Sequence, residues 1–298
     1  MRCPLLLLFI AGALTGLAAT SSVSRAELEP EVSCPFTRLR TQRKCLNEKN
    51  AVRARNFLQQ LPEPEQERVS GSLDKLRKQK NRVVELSQPK GRAPVFLLLQ
   101  GVFLGEAYEW YRPLAKLLPS GAGVYFITLD GKRSADYKSR LVEEVIVELL
   151  RSYPDRRLEV IGFSAGGLPG LLAWQRLLRR EDVNLSTAWL HTVASPIMGY
   201  PRIPKLATYL VRRFTNQQFL HDLMTGITWQ LKDGPFARCT NHITTDCSHD
   251  VHACPLFGTS VSAQVSPEMP CGEGNVVEHR GVTHHEILEE TIQGALAP

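Results

Sequence analysis

The residues with the clearest chemical potential are Gly162-Phe163-Ser164-Ala165-Gly166, a serine with a glycine two positions before it and another two after it. A serine hydroxyl is a weak nucleophile until it is held in the open beside a base. This pattern supplies the first half of that requirement. Between a strand and a helix the chain must turn sharply, and flanking glycines let the backbone pass where a β-carbon would collide. The hydroxyl is then presented at the carboxyl end of the strand. The helix that follows aims its amino end at the same point, so the N–H of Ala165 can stabilise a developing oxyanion.

A second concentration of reactive side chains is Cys239, His242, Cys247, His249, His252 and Cys254, all within sixteen residues. Thiolates and imidazoles at this density could build a tetrahedral zinc site. However, no C-x2-C pair is present, and the export signals described below favour oxidised thiols. The preferred reading is a disulfide-stapled loop, with no metal and no cofactor.

The serine pattern gains weight from the elements around it. Pro94 to Leu99 is a continuous apolar run followed by Gln100-Gly101, as expected of a strand buried on both faces. Tyr111 to Leu118 reads as a helix, Val124 to Leu129 as a second strand, and Arg140 to Ser152 as a helix with Leu141, Val145 and Leu149 on one face. Leu158-Glu159-Val160-Ile161 is a third strand and leads directly into the serine turn, which an apolar helix follows to about Leu178. Ala188 to Val193 is a fourth strand, His242 to Thr245 a candidate fifth, and Asn275 to Val277 the last, before a closing helix from His284. Such alternation predicts an α/β fold: a mostly parallel sheet with helices on both faces.

The strand, Gly162-Phe163-Ser164-Ala165-Gly166-Gly167, the helix and then Thr192-Val193-Ala194-Ser195-Pro196 together resemble the α/β-hydrolase superfamily, in particular its secreted lipase-like and esterase-like members. The resemblance covers about Pro94 to Leu288, and the first sheet strands of larger members are not evident before it. It implies a triad in the chain order serine, acid, histidine. Gly281-Val282-Thr283-His284 resembles the family's Gly-x-x-His element, which makes His284 the base, with His285 as the alternative. The acid is expected on the loop after the penultimate strand, where Asp250 and Asp246 both qualify. Asp250-Val251 followed by Pro255 resembles the family's acid loop, whereas Asp246 sits directly at the predicted strand end. Glu273 is set aside, because only ten residues separate it from His284 and the last strand occupies most of them. A second oxyanion donor is expected from the N–H of Val102 or Phe103, where many members carry His-Gly in place of Gln100-Gly101. Residues 199–232 interrupt the sheet, and in this family such insertions form a lid or acyl pocket.

The implied activity is hydrolysis of a small-molecule or lipid ester through an acyl-enzyme. Thioesterase or acyltransferase chemistry would use the same residues, and a binding protein on an inactive hydrolase scaffold is a reading from another class.

The remaining signals concern location. Met1-Arg2, an apolar run from Leu5 to about Ala19, and a small-residue stretch ending in Ser24-Arg25-Ala26 match a secretory signal peptide over residues 1–26. Its removal leaves Cys34, Cys45, Cys239, Cys247, Cys254 and Cys271, an even set suited to disulfides in a secreted, lumenal or periplasmic protein. No other segment is long and apolar enough to span a bilayer. Residues 27–91 read as a charged, helical segment preceding a hydrolase domain at 92–298. From Thr37 to Arg92 there are 15 Lys and Arg against 6 Asp and Glu, more than the whole net charge of +6. That excess suits an anionic surface. No nucleic-acid-binding motif accompanies it, so nucleic acid is not an expected partner.

Overall fold

The computed structural model describes residues 28–30, 48, 51–78, 82–101, 110–128, 132–197, 199, 218–227, 230–231, 236–244, 276–279 and 284–297. The signal-peptide stretch, the loops carrying Val102, Phe103, Asp246 and Asp250, and most of 199–232 lie outside them.

Two helices come first, α1 at 51–59 and α2 at Glu63–Lys78. Strand β1 (Val83–Ser87) leads to β2 (Val95–Leu99), helix α3 (Tyr111–Leu117), β3 (Gly123–Ile127), α4 (Ala135–Ser152) and β4 (Leu158–Phe163). A one-turn 3-10 helix at Ser164–Gly166 joins β4 to α5 (Gly167–Leu177). Strand β5 (Ala188–Val193), α6 (Gln218–Thr225), β6 (Cys239–Thr244), β7 (Val276–His279) and α7 (His284–Leu296) complete the described chain.

The seven strands form one sheet in the order β1-β3-β2-β4-β5-β6-β7, and only β1 runs antiparallel to its neighbour. Alternate side chains on the central strands face two separate cores. Val95, Leu97, Leu99, Val160 and Leu190 meet Val142, Ile146, Leu168, Leu171 and Trp174 of α4 and α5. Phe96, Leu98, Phe126, Ile161 and Phe163 meet Leu73 of α2, Leu114 of α3 and Ile287, Leu288 and Ile292 of α7. Each such side chain, fully buried, is worth about 1.5–3 kcal/mol relative to exposure. A strand that feeds both cores favours apolar residues at every position, as in β2, which reads Val-Phe-Leu-Leu-Leu with all five residues buried.

Val83–Ser87 corrects the helical reading of 27–91 and the start of the sheet domain at 92. Its residues pair with Val124 to Ile127 of β3, and a register shift falls between Glu85 and Ser87. Within 199–232, Phe219, Leu223 and Ile227 are buried in the α4–α5 core. Asp222 is also buried, and its carboxylate accepts the Ala135 N–H at 2.7 Å, capping α4. Helix α6 is thus a packed element of the fold, and the rest of 199–232 apart from 199, 226–227 and 230–231 lies outside the described residues.

Candidate active site

Sheet order locates the site before any side chain is considered. From β2 the chain crosses to β3 on one side through α3, then to β4 on the other side through α4, and those two helices cover opposite faces. Where connections diverge in this way, a crevice opens beyond the carboxyl ends of the adjacent strands. Here those strands are β2 and β4, which pair from Val95 with Leu158 to Leu99 with Gly162. Gly101 follows the first and Ser164 the second.

Ser164 has φ 51°, the left-handed region that L-residues enter at a cost of about 1–2 kcal/mol. Close packing on both sides enforces it. A β-carbon on Gly162 would lie 2.6 Å from the Gly167 Cα, and one on Gly166 would lie 2.2 Å from the Leu99 carbonyl oxygen. On Gly167 it would meet the Ser195 Oγ at 2.0 Å. That hydroxyl donates to the carbonyls of Gly162 and Val193, at 3.3 and 3.4 Å. The strand-turn-helix unit is therefore wedged between β2 and β5, while Ser164 itself stays partly exposed. No side chain caps the start of α5, so its amino end is left to face whatever the serine binds. Ala165 is buried immediately behind the serine.

Helix α5 is also pinned along its length. The Arg176 guanidinium donates to Glu143 Oε2 at 2.7 Å and to Asp136 Oδ1 at 3.1 Å on α4, and the Trp174 indole donates to the Ala237 carbonyl at 2.9 Å. A strained turn persists only with such rigid support.

Gly101, which sequence reasoning passed over in favour of the following N–H groups, stands directly against the candidate serine. A β-carbon there would lie 2.9 Å from the Ser164 Cβ and 3.4 Å from its Oγ. The available signal was a glycine two residues beyond a fully buried strand. Gly101→Ala is expected to push the Ser164 side chain aside. Reactive-serine labelling should then slow by about 10²-fold, the cost of displacing a reacting group by roughly 1 Å, and the thermal midpoint should fall, because the Ser164 Cβ and the Phe163 carbonyl oxygen, the latter at 3.2 Å, yield only with the backbone. Unchanged labelling kinetics would count against the contact.

The other predicted residues are placed less fully. Asp246, Asp250, Val102 and Phe103 lie outside the described residues. The main chain at His284 and His285 opens α7, but their side chains are outside the description. Strands β4 to β7 are mutually parallel, so β4 and β7 end at the same sheet edge. His284 stands five residues past the end of β7, and Asp246 two past the end of β6. His242 does not belong to a ligand cluster with Cys239. Its ring nitrogens face His191 and His279, and the Cys239 sulfur is disulfide-bonded. A cavity of about 710 Å³ lined by Arg68, Lys75, Ser87, Lys90 and Gly121 lies at the amino end of β3, the edge opposite Ser164.

The mature lipase BlEst2 of Bacillus licheniformis, a solved structure, superposes with a TM-score of 0.52 at 12% identity, over 74% of this chain and 100% of the lipase. This chain has the α/β-hydrolase fold. Two further solved structures are MGS-MChE2, an α/β hydrolase from a sediment metagenome of the Mar Chica lagoon in Morocco, and the type II thioesterase BorB of the borrelidin biosynthetic cluster. The first has a TM-score of 0.45 at 15% identity over 73% of this chain and 94% of its own. The second has a TM-score of 0.45 at 16% identity over 72% and 92%. No sequence-family description and no curated protein sequence matches the chain.

Proposed function

We propose that the protein is a serine hydrolase that cleaves carboxylic esters. Ser164 attacks the ester carbonyl, His284 accepts its proton, and Asp250 or Asp246 orients the imidazole. The resulting acyl-enzyme is released by water. The N–H of Ala165, with that of Val102 or Phe103, would hold the oxyanion. The observation that carries this reading is Ser164 at φ 51° on a glycine-packed turn, at the crevice where strand order reverses. That conformation costs an L-residue energy, and here it presents a partly exposed hydroxyl at a helix amino end. An exported location is part of the proposal, supported by the leader-like first residues and the disulfide at Cys239.

The test is fluorophosphonate labelling and turnover of p-nitrophenyl esters by the wild type beside His284→Ala, His285→Ala, Asp246→Asn and Asp250→Asn. His284→Ala is expected to lower turnover by about 10³-fold or more and His285→Ala by far less. One aspartate variant should fall with His284→Ala, and that one identifies the acid. Parallel assays with acyl thioesters and alcohol acceptors separate ester hydrolysis from thioesterase and transferase chemistry. A wild-type chain inert to the probe would point to a binding scaffold instead.

A further inference from the structure

A row of histidines crosses the sheet on the face covered by α7. Glu159 on β4 is fully buried, and its Oε2 lies 2.9 Å from His191 Nε2 on β5. His191 Nδ1 lies 3.2 Å from His242 Nε2 on β6, and His242 Nδ1 lies 3.3 Å from His279 Nε2 on β7. His279 Nδ1 then faces Glu290 Oε2 of α7 at 3.2 Å. Four contacts thus join three imidazoles to a carboxylate at either end. Because His242 uses opposite ring nitrogens for its two neighbours, the three rings cannot converge on one metal ion, and no metal-binding group occurs among the described residues.

Counting protons shows what the row requires. Each contact needs one hydrogen between its two heavy atoms, and each neutral imidazole carries one. Three neutral rings therefore leave one of the four contacts with lone pairs facing each other. A fourth proton completes all four. We infer that His191, His242 and His279 act as one unit that binds a single excess proton between Glu159 and Glu290 and thereby ties the C-terminal helix to the sheet.

Placement of the charge follows from the surroundings. Burial, then the flanking His191 and His279, push His242 down to about 3, so the central ring stays neutral and the positive charge resides on an end ring beside a carboxylate. Moving one proton across each inner contact carries the charge from His279 to His191 with every hydrogen bond kept. The groups around the row balance it. Arg157 pairs with Glu159 from the start of β4. Arg238 stands over Trp189, whose indole donates to Thr240. On α7, Glu286 is exposed, and Glu289 turns away to Arg112 and Lys116 of α3. With its fourth proton the sequence Arg157, Glu159, histidine row, Glu290 alternates in sign and sums to zero.

The pH dependence has two arms. As pH rises and the excess proton leaves, one of the four contacts loses its hydrogen and the positive charge that Glu290 faces in the row disappears, so the tie to α7 weakens. On the acid side, His242 is a base held below its ordinary value of 6.5, so its contribution to stability is present above that value and is lost as pH falls toward about 3.

The experiment is nitrogen NMR of histidine-labelled full-length protein from pH 5 to 9, with thermal midpoints across the same range, for the wild type, Glu290→Gln and His279→Gln. In the wild type, His242 is expected to stay neutral throughout, and the two end rings to lose one proton together as the midpoint drops. Glu290→Gln, at a half-exposed position, should fold, shift that step to lower pH, and speed hydrogen exchange in α7 at least tenfold. His279→Gln keeps a donor toward His242 and should abolish the step. Three rings that titrate independently, or a step indifferent to both substitutions, would overturn the inference. The outcome does not depend on catalysis, although α7 is also the helix that begins at His284.

Discussion

Replacing Ser164 by alanine is expected to abolish fluorophosphonate labelling and to lower ester turnover by about 10³-fold or more, with the fold intact. The magnitude follows from removing a nucleophile while leaving the oxyanion donors and the binding surface in place. Stability should change by less than about 1 kcal/mol, since the lost hydroxyl is partly exposed and the β-carbon remains. A companion variant separates geometry from chemistry. Ser164→Gly also lacks the hydroxyl, but at φ 51° it escapes the clash that any L-residue suffers there. It should therefore be about 1 kcal/mol more stable than Ser164→Ala. That ordering, read from thermal or denaturant unfolding, is the signature of a strained turn that holds a functional side chain. Retained labelling in Ser164→Ala would place the reactive group elsewhere and end the proposed mechanism. Equal stability of the two variants would instead remove the case for strain.

The legibility of this fold in the sequence follows burial. Strands β2 to β5 serve two cores at once, so they appear as mostly apolar runs, unbroken in β2 and β3, and the sequence boundaries fall within a few residues of the observed ones. The serine turn was equally clear, because glycine is demanded at 162, 166 and 167 by contacts that admit no β-carbon. Strand β1 was hidden for the opposite reason. Val83-Val84-Glu85-Leu86-Ser87 is short, half exposed and set among charged residues, and its strand character comes from pairing with β3, some forty residues later. The histidine row was hidden more deeply still. His191, His242 and His279 belong to three strands, and only their shared face and the sheet order bring them together. Spacing in the chain therefore grouped His242 with nearby cysteines rather than with its true neighbours. A local clue did exist, in Glu159 and His191, each a titratable residue inside an otherwise apolar strand. Such groups stay buried only with partners, and looking for those partners on adjacent strands would have found the row.

The second large effect concerns how closely α5 approaches β2. Gly166→Ala would set a β-carbon 2.2 Å from the Leu99 carbonyl oxygen, 2.7 Å from the Leu99 carbonyl carbon and 2.9 Å from the Gln100 oxygen. All three are backbone atoms, and Leu99 sits in the middle of the sheet with strands on either side, so none can rotate away. Relief requires the start of α5 to lift off β2. The helix is held against that movement by Arg176 on Glu143 and Asp136, by the Trp174 indole, and by burial of nearly every residue from Gly167 to Leu177. Overpacking a core ordinarily costs about 1–3 kcal/mol, and a collision between two fixed backbones belongs at or beyond the upper end. Gly166→Ala should therefore lose about 3 kcal/mol or more, and whatever folds should react poorly with the probe, because Ser164 and Gly101 separate as the helix lifts. Gly170→Ala, one turn further along, supplies the contrast. Its β-carbon would meet only the Leu99 and Leu190 Cδ1 atoms, at 3.1 and 3.5 Å. Leucine tips can shift by a few tenths of an ångström, and alanine gains about 1 kcal/mol over glycine in a helix interior. That variant should unfold near the wild-type midpoint and label at the wild-type rate. If the two alanines prove equally tolerated, the close contact between α5 and β2 is not what holds the serine in its left-handed turn.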